Sequence, residues 1–269
     1  MIQGENGLLK VKDIMIGEGR PKICVPLTGT TKEELIKEAK IVLESGAELA
    51  EIRIDYFVKE NGLNDVCETL KVLRKELDSL PAIFTFRTKN EGGECEISEE
   101  DYERLISDTA DNGLADIIDI EYNMGKAYVT GLCEKLKKTG VISLVSNHDF
   151  QKTISKDDLK ERMYDMKKCG ADIVKVAMMP RTKADVFNLL EVTEDMSNKL
   201  KTPVITMSMG KLGAISRLCG EFSSSAVTFA TVGKCSAPGQ MPVDKVKECL
   251  ELIHNRGRFH CQIQANAGL

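Results

Sequence analysis

Apolar residues recur along the chain in two alternating rhythms. Short stretches rich in Val, Ile, Phe and Leu have the length and β-branched content of buried strands. Between them lie longer stretches whose apolar positions fall three or four apart, the spacing of an amphipathic helix. Two short alternating segments, LLKVKDI and MIGEG, predict a β-hairpin within residues 1–20. The repeat then begins. KICVPL (22–27), ELAEIRID (48–55), AIFTFRT (82–88), LADIIDIEY (114–122), VISLVSNHDF (141–150), ADIVKVAMM (171–179), TPVITMSM (202–209) and SAVTFATV (225–232) predict strands.

A helical pattern follows each strand. TKEELIKEAKIVLES carries Leu35, Ala39 and Val42 on one face and stops at Gly46. The next helix is expected to be capped by Asn64. SEEDYERLISDTADNG opens with a capping box, Ser98 to Asp101. SKDDLKERMYDMKKCG starts at Ser155 with Asp158 three residues on, and stops at Gly170. PVDKVKECLELIHNR is the last helix. Eight strand–helix units in about 250 residues fit a (β/α)8 TIM barrel. The same order allows an open doubly wound sheet, but no GxGxxG follows the first strand and eight even repeats favour closure. No low-complexity linker interrupts the pattern, so residues 1–269 read as a single barrel domain with the 1–20 hairpin as its entry.

Composition narrows the class. Charged residues make up 29% and hydrophobic residues 42% of the chain, as in an ordinary globular protein. The net charge of −5 argues against a nucleic-acid or anionic-membrane partner. Nine scattered cysteines without CxxC spacing suggest reduced thiols rather than a disulfide framework or zinc site. The three histidines, His148, His254 and His260, form no paired metal motif, so no metal is expected. No signal-peptide pattern or membrane span is present, which makes the cytoplasm the expected location.

The chemistry gathers at strand ends, where barrel enzymes keep their active sites. Glu51, Arg53 and Asp55 alternate on the second strand, and Arg87 ends the third with Glu91 just beyond. Asp119 and Glu121 lie on the fourth, Asn147, His148 and Asp149 close the fifth, and Lys175 sits within the sixth. Met207 and Met209 end the seventh, with Arg217 soon after, and Ser236 and Gln240 follow the eighth. Each alone could be an ion pair at a barrel rim or a satisfied structural histidine. Together they describe a polar site for an anionic ligand, because buried unpaired charges are costly. A lysine on an apolar strand either points to water or is desolvated, and a desolvated amine is a Schiff-base nucleophile. The nearby arginines are expected to lower its pKa by repulsion, and His148 on the preceding strand can carry a proton. The residues thus read as an imine-forming enzyme acting on an acidic carbonyl compound.

EIRID (51–55), TFRTKNEGG (85–93), SNHDF (146–150), ADIVKVAMM (171–179), TMSMGKLGAISRLCGE (206–221) and SAPGQ (236–240) closely resemble type I 3-dehydroquinate dehydratases of the shikimate pathway. The resemblance runs in order over roughly residues 8–256. It implies dehydration of 3-dehydroquinate to 3-dehydroshikimate by syn elimination through a lysine Schiff base, on the route to chorismate and the aromatic amino acids. It implies no cofactor and no metal, a homodimer, and a hairpin that closes the bottom of the barrel. By this resemblance Lys175 is the Schiff-base lysine, His148 the proton donor and acceptor, and Glu91 the residue that orients it. Arg217 grips the substrate carboxylate, while Glu51, Arg53 and Arg87 hold the ring hydroxyls. Ser236 and Gln240 belong to a lid loop at 233–241, and Met207 and Met209 form apolar wall. Many relatives carry serine where this chain has Pro26, which cannot donate a hydrogen bond; Thr28 is expected to lie near enough to serve instead. Two alternatives are a class I aldolase, whose usual phosphate site is replaced here by Arg217 and SAPGQ, and a non-catalytic barrel, which would be expected to lack Lys175 or His148.

Overall fold

The computed structural model describes residues 7–150 and 154–255. His260 and Cys261 lie outside them, as do the first six residues of the hairpin segment and Arg256 at the end of the last expected helix. The hairpin pairs β1 (Leu9–Val11) with β2 (Ile14–Ile16) antiparallel, Leu9 opposite Ile16. Eight parallel strands follow: β3 (Lys22–Leu27), β4 (Leu49–Arg53), β5 (Ala82–Thr85), β6 (Ile117–Glu121), β7 (Ile142–Asp149), β8 (Ile173–Met178), β9 (Val204–Ser208) and β10 (Val227–Phe229). They neighbour one another in chain order, and β10 pairs with β3. The Ala226 N–H donates to Val204 O at 2.8 Å and brings the last strand back to β9. The result is a (β/α)8 barrel.

Helices α1 (Lys32–Ser45), α2 (Ile54–Asn61), α3 (Val66–Leu77), α4 (Glu99–Asp111), α5 (Lys126–Thr139), α6 (Lys156–Lys168), α7 (Lys183–Leu200), α8 (Gly210–Gly213), α9 (Gly220–Ser223) and α10 (Val243–His254) surround it. Thr31, Ser98, Ser155 and Thr182 accept from the amide three residues on and so fix the starts of α1, α4, α6 and α7. Among the described residues no helix is long and apolar enough to cross a membrane.

Side chains on the strands alternate between two layers. Val25, Ala50, Ile52, Phe84, Ile118, Val145, Val174 and Val204 pack outward against the helices. Leu49, Ile83, Ile117, Ile142 and Ile173 point inward at the strand starts and pack with Leu9, Val11 and Ile16 of the hairpin. The hairpin therefore plugs the N-terminal end of the barrel, and each fully buried Ile there contributes about 1.5–3 kcal/mol.

Three local expectations are corrected. The strand expected through Asp55 ends at Arg53, and α2 begins at Ile54. Asp55 is fully buried because it meets donors from three segments: Arg53, the Arg87 N–H and the Glu94 N–H. That tertiary demand outweighs the alternating pattern of EIRID. Helix α3 is preceded by Asp65 rather than capped by Asn64, and has no side-chain cap. β5 stops at Thr85, so Arg87 stands in the loop beyond it.

Candidate active site

Two residues above the apolar layer, the inward positions turn polar. Leu49 is followed by Glu51 and Arg53, Ile83 by Thr85 and then Arg87, Ile117 by Asp119 and Glu121, Leu144 by Ser146 and His148, and Ile173 by Lys175. The register sets Ser146 beside Lys175 and His148 beside Ala177. Of these, Glu51, Arg53, Arg87, His148 and Lys175 open into one cleft at the C-terminal mouth. Glu51, Arg53, Arg87, Glu91, His148, Lys175, Met207, Met209, Arg217, Ser236 and Gln240 all line it. The eleven residues to which the family resemblance gives a role thus line a single cavity, whereas Asp55, Asp119, Glu121, Asn147 and Asp149, also expected at the mouth, stand outside its lining.

Lys175 is 3% exposed. Its Nζ lies 3.2 Å from Glu51 Oε1 and 3.2 Å from Asp119 Oδ2, and 4.5 Å from the centre of the Phe229 ring. This corrects the expectation that arginines crowd the lysine. Its nearest charges are carboxylates, because the arginines are themselves engaged by acids. Arg53 is held by both oxygens of Asp55 at 2.8 Å. Arg87 donates to Asp119 at 2.8 Å and to Glu121 at 2.9 Å. Burial alone would lower the pKa of Arg87, but Asp119, Glu121 and Glu91 outweigh it and hold the group firmly cationic.

His148 stands next to Glu91, which sits in a short turn after β5. Glu91 Oε2 lies 2.9 Å from His148 Nδ1 and accepts the His148 amide N–H at 2.9 Å. Asn147 Nδ2 donates to Oε1 at 3.2 Å, and Arg162 donates to the Asn147 amide oxygen from α6. With Nδ1–H donated to Glu91, Nε2 is the nitrogen left to serve as a base. Burial, then Arg87, Lys175 and Arg53, push the imidazole pKa well below 6.5. Burial and Glu121 raise Glu91 to about 8, against the pull of Arg87 and the donors from His148 and Asn147. The turn that carries Glu91 depends on Gly93, since a Cβ there would lie 1.8 Å from Arg87 O.

Arg217 is 1% exposed and has no carboxylate partner among the described residues. Its Nη2 donates to Pro238 O at 3.1 Å and its Nη1 weakly to Phe229 O at 3.4 Å, while Nε has no partner. Burial lowers its pKa to about 10. A buried guanidinium with unused donors suits a carboxylate ligand. Pro238 O also accepts the Gly210 N–H at 3.1 Å, and Gly239 rests on Gly210, where a Cβ would approach Gly210 O to 2.5 Å. Gln240 Oε1 accepts the Ser236 N–H at 2.8 Å, which folds the 236–240 loop on itself over the cleft.

Pro26 is in register with Glu51, yet neither it nor Thr28 lines the cleft, and the Thr28 N–H is taken by Glu38 at 2.7 Å. Thr28 thus stands outside the cleft lining, with its amide engaged by α1. The sequence reading missed Ser146, Thr85 and Phe229 as site residues. Ser146 and Thr85 could have been found, because each lies two residues before an expected site residue, His148 and Arg87.

The type I 3-dehydroquinase family model matches residues 23–256. A 3-dehydroquinate dehydratase of Klebsiella pneumoniae is 43% identical over 244 residues, covering 90% of this chain and 97% of that protein. Another, from Clostridioides difficile, is 42% identical, covering 91% and 97%. The crystal structure of a type I 3-dehydroquinate dehydratase from Clostridium difficile with covalently modified comenic acid superimposes with a TM-score of 0.88 at 41% identity, covering 93% of this chain and 98% of that one. A 3-dehydroquinate dehydratase structure from Geobacillus kaustophilus gives 0.89 at 36% identity, covering 93% and 98%.

Proposed function

The chain belongs to the type I 3-dehydroquinase family, and on that footing we propose the part each residue plays in its reaction. The chain is a hydro-lyase of the shikimate pathway that dehydrates 3-dehydroquinate through a Schiff base. Lys175 gives up a proton and attacks the C3 ketone as a free amine, and the carbinolamine takes a proton back as its hydroxyl leaves as water, which yields a protonated imine. That imine draws electrons from C2, so His148 Nε2 can take the C2 proton. The electron pair then expels the C1 hydroxyl, to which His148 returns a proton, and water leaves. Hydrolysis of the imine frees the product and the lysine. Use of one imidazole for both transfers makes the elimination syn.

Glu91 fixes the tautomer and orientation of His148. Arg217 takes the substrate carboxylate with the donors that no acid in the described protein occupies. Glu51, Arg53 and Arg87 line the side that meets the ring hydroxyls, Met207 and Met209 form the apolar wall, and Ser236 and Gln240 close over the substrate on the 233–241 loop. The single observation that carries this reading is the convergence of Lys175, the His148–Glu91 pair and the acid-free Arg217 on one cleft.

The test is borohydride reduction during turnover of 3-dehydroquinate, followed by peptide mass mapping. A stable adduct on Lys175 is expected; loss of activity without an adduct there would overturn the assignment. We also propose that the chain is one domain, works in the cytoplasm and forms a homodimer. Support for the dimer comes from exposed Phe187, Leu212, Ile215 and Phe222 on and beside α7, since exposed apolar clusters mark interaction faces. Light scattering should give twice the chain mass, and Phe187→Asp with Phe222→Ser should reduce it to one.

A further inference from the structure

Two carboxylates touch the reacting nitrogen, and their surroundings differ. Glu51 lines the cleft, and its other partner is the neutral Thr85 hydroxyl at 3.1 Å. Asp119 is 1% exposed and does not line the cleft. Its Oδ2 meets both Lys175 Nζ and Arg87 Nη2, and its Oδ1 accepts the Ser146 hydroxyl at 2.5 Å. Every bond it makes is donated to it, from three different strands or strand ends. A carboxylate so clamped can neither swing toward substrate nor act as a proton carrier, yet it stays within contact of Lys175 Nζ.

We infer that Asp119 is the fixed counter-ion of the Schiff-base nitrogen: its carboxylate keeps the imine protonated, and so electron-withdrawing, while His148 removes the C2 proton. The inference rests on Lys175 forming that imine. A neutral imine is a poor electron sink, so the proton on nitrogen must survive the elimination step. The charges around it are mixed. Arg53, Arg87 and, when protonated, His148 oppose a cation there; Glu51, Glu121 and, when ionised, Glu91 favour one; Cys24 and Tyr102 lie behind as neutral groups. Glu51 is the acid exposed to substrate and to the water released on imine formation. Asp119 is the one shielded from both. Burial pushes the Asp119 pKa up, but Arg87, Lys175 and Ser146 more than offset this and leave it below the usual carboxylate value. It therefore carries its charge throughout the working pH range. An opposite charge in direct contact is worth about 1–3 pH units to the group it faces.

The experiment follows the imine nitrogen by NMR in protein labelled with [15N]lysine, with 3-dehydroshikimate added, across pH. In the unmutated protein a protonated imine signal is expected throughout the range in which it stays folded. In Asp119→Asn the nitrogen should lose its proton within the folded range, at least about one pH unit below the highest pH at which the unmutated protein still shows the protonated signal, and kcat at neutral pH should fall about tenfold or more. Asp119→Glu, which keeps the charge but displaces it, should lie between the two. A protonated imine that persists in Asp119→Asn to as high a pH as in the unmutated protein, even with a lowered Tm, would reduce Asp119 to a structural residue and overturn the inference. Should Asp119→Asn fail to fold, Asp119→Glu and the unmutated protein decide: loss of the proton within the folded range of the latter, or a protonated imine in the former that persists to the same pH as in the unmutated protein, overturns it. Absence of any imine signal in the unmutated protein would instead sink the Schiff-base assignment itself.

Discussion

The two ends of the barrel are built from the same strands by the same alternation, yet they do opposite work. At the N-terminal end, the inward residues of successive strands are Leu49, Ile83, Ile117, Ile142 and Ile173, sealed by Leu9, Val11 and Ile16. One pleat or two higher, the inward residues are Glu51, Asp119, Ser146 and Lys175, then Arg53, Glu121 and His148. The lower layer gains stability from burial of apolar area. The upper layer incurs a desolvation cost for each charge and offsets it by pairing, as in Arg53–Asp55 and the Arg87–Asp119–Glu121 group. Arg217 stands apart, since its donors go to backbone carbonyls. The contrast teaches that a charge left without its opposite at the mouth marks the place of the ligand.

Substitutions at matched heights separate the two ends. His148→Ala at the mouth should lower kcat by about 10²–10⁴ through loss of the proton carrier, measured as growth of enone ultraviolet absorbance. A rate within tenfold of the unmutated protein would remove His148 from that role. Ile117→Ala at the bottom should instead lower stability by about 2–5 kcal/mol in denaturant melts. Its kcat per folded molecule should stay within about twofold, because the layer above is held by its own pairs. A large fall in kcat for Ile117→Ala would show that the two ends are not separable.

The bottom of the barrel and the identity of its strands were legible in the sequence, because burial imposes a periodicity that each strand carries locally. The mouth was only half legible. Which residues would be polar and inward followed from position, so Lys175, His148, Glu91 and Arg217 could be named. Which acid would meet which base could not, because the partners sit on different strands and depend on register. Lys175 was expected among arginines and stands between Glu51 and Asp119. Asp55 was read as the end of a strand, and its buried bonds to Arg53, Arg87 and Glu94 turn the chain into α2 instead. Thr28 looked close to the site along the chain, but its amide is turned toward Glu38 on α1.

Arg217 sharpens the contrast between paired and unpaired charge. Arg217→Lys keeps the cation but loses the fork that grips a carboxylate in two places. It should reduce kcat/KM by about tenfold to a hundredfold, the worth of a charged hydrogen bond, with most of the change in KM. Steady-state kinetics would show this. An unchanged KM would place the substrate carboxylate elsewhere in the cleft.

The smallest effect concerns Glu91, the acid behind His148. Burial and Glu121 hold Glu91 at about 8 when folded, against 4.5 for an ordinary glutamate. Below 4.5 both folded and unfolded chains carry the proton, and the contribution of this shift to stability is fully present. As pH rises from 4.5, the unfolded chain releases its proton while the folded one retains it, so that stability drains away until about pH 8 and then levels. Glu91→Gln has no such titration and nearly the same shape. Its Tm relative to the unmutated protein should therefore climb between pH 4.5 and about 8 and stay flat above. His148 titrates in both proteins with its pKa held below 6.5, so its opposite dependence largely cancels in the difference. Paired thermal melts across this range read the sign directly. A difference that shrinks as pH rises would mean that Glu91 is an ordinary carboxylate held charged by Arg87 and His148, and that the mouth of the barrel pairs all its acids as fully as its rim does.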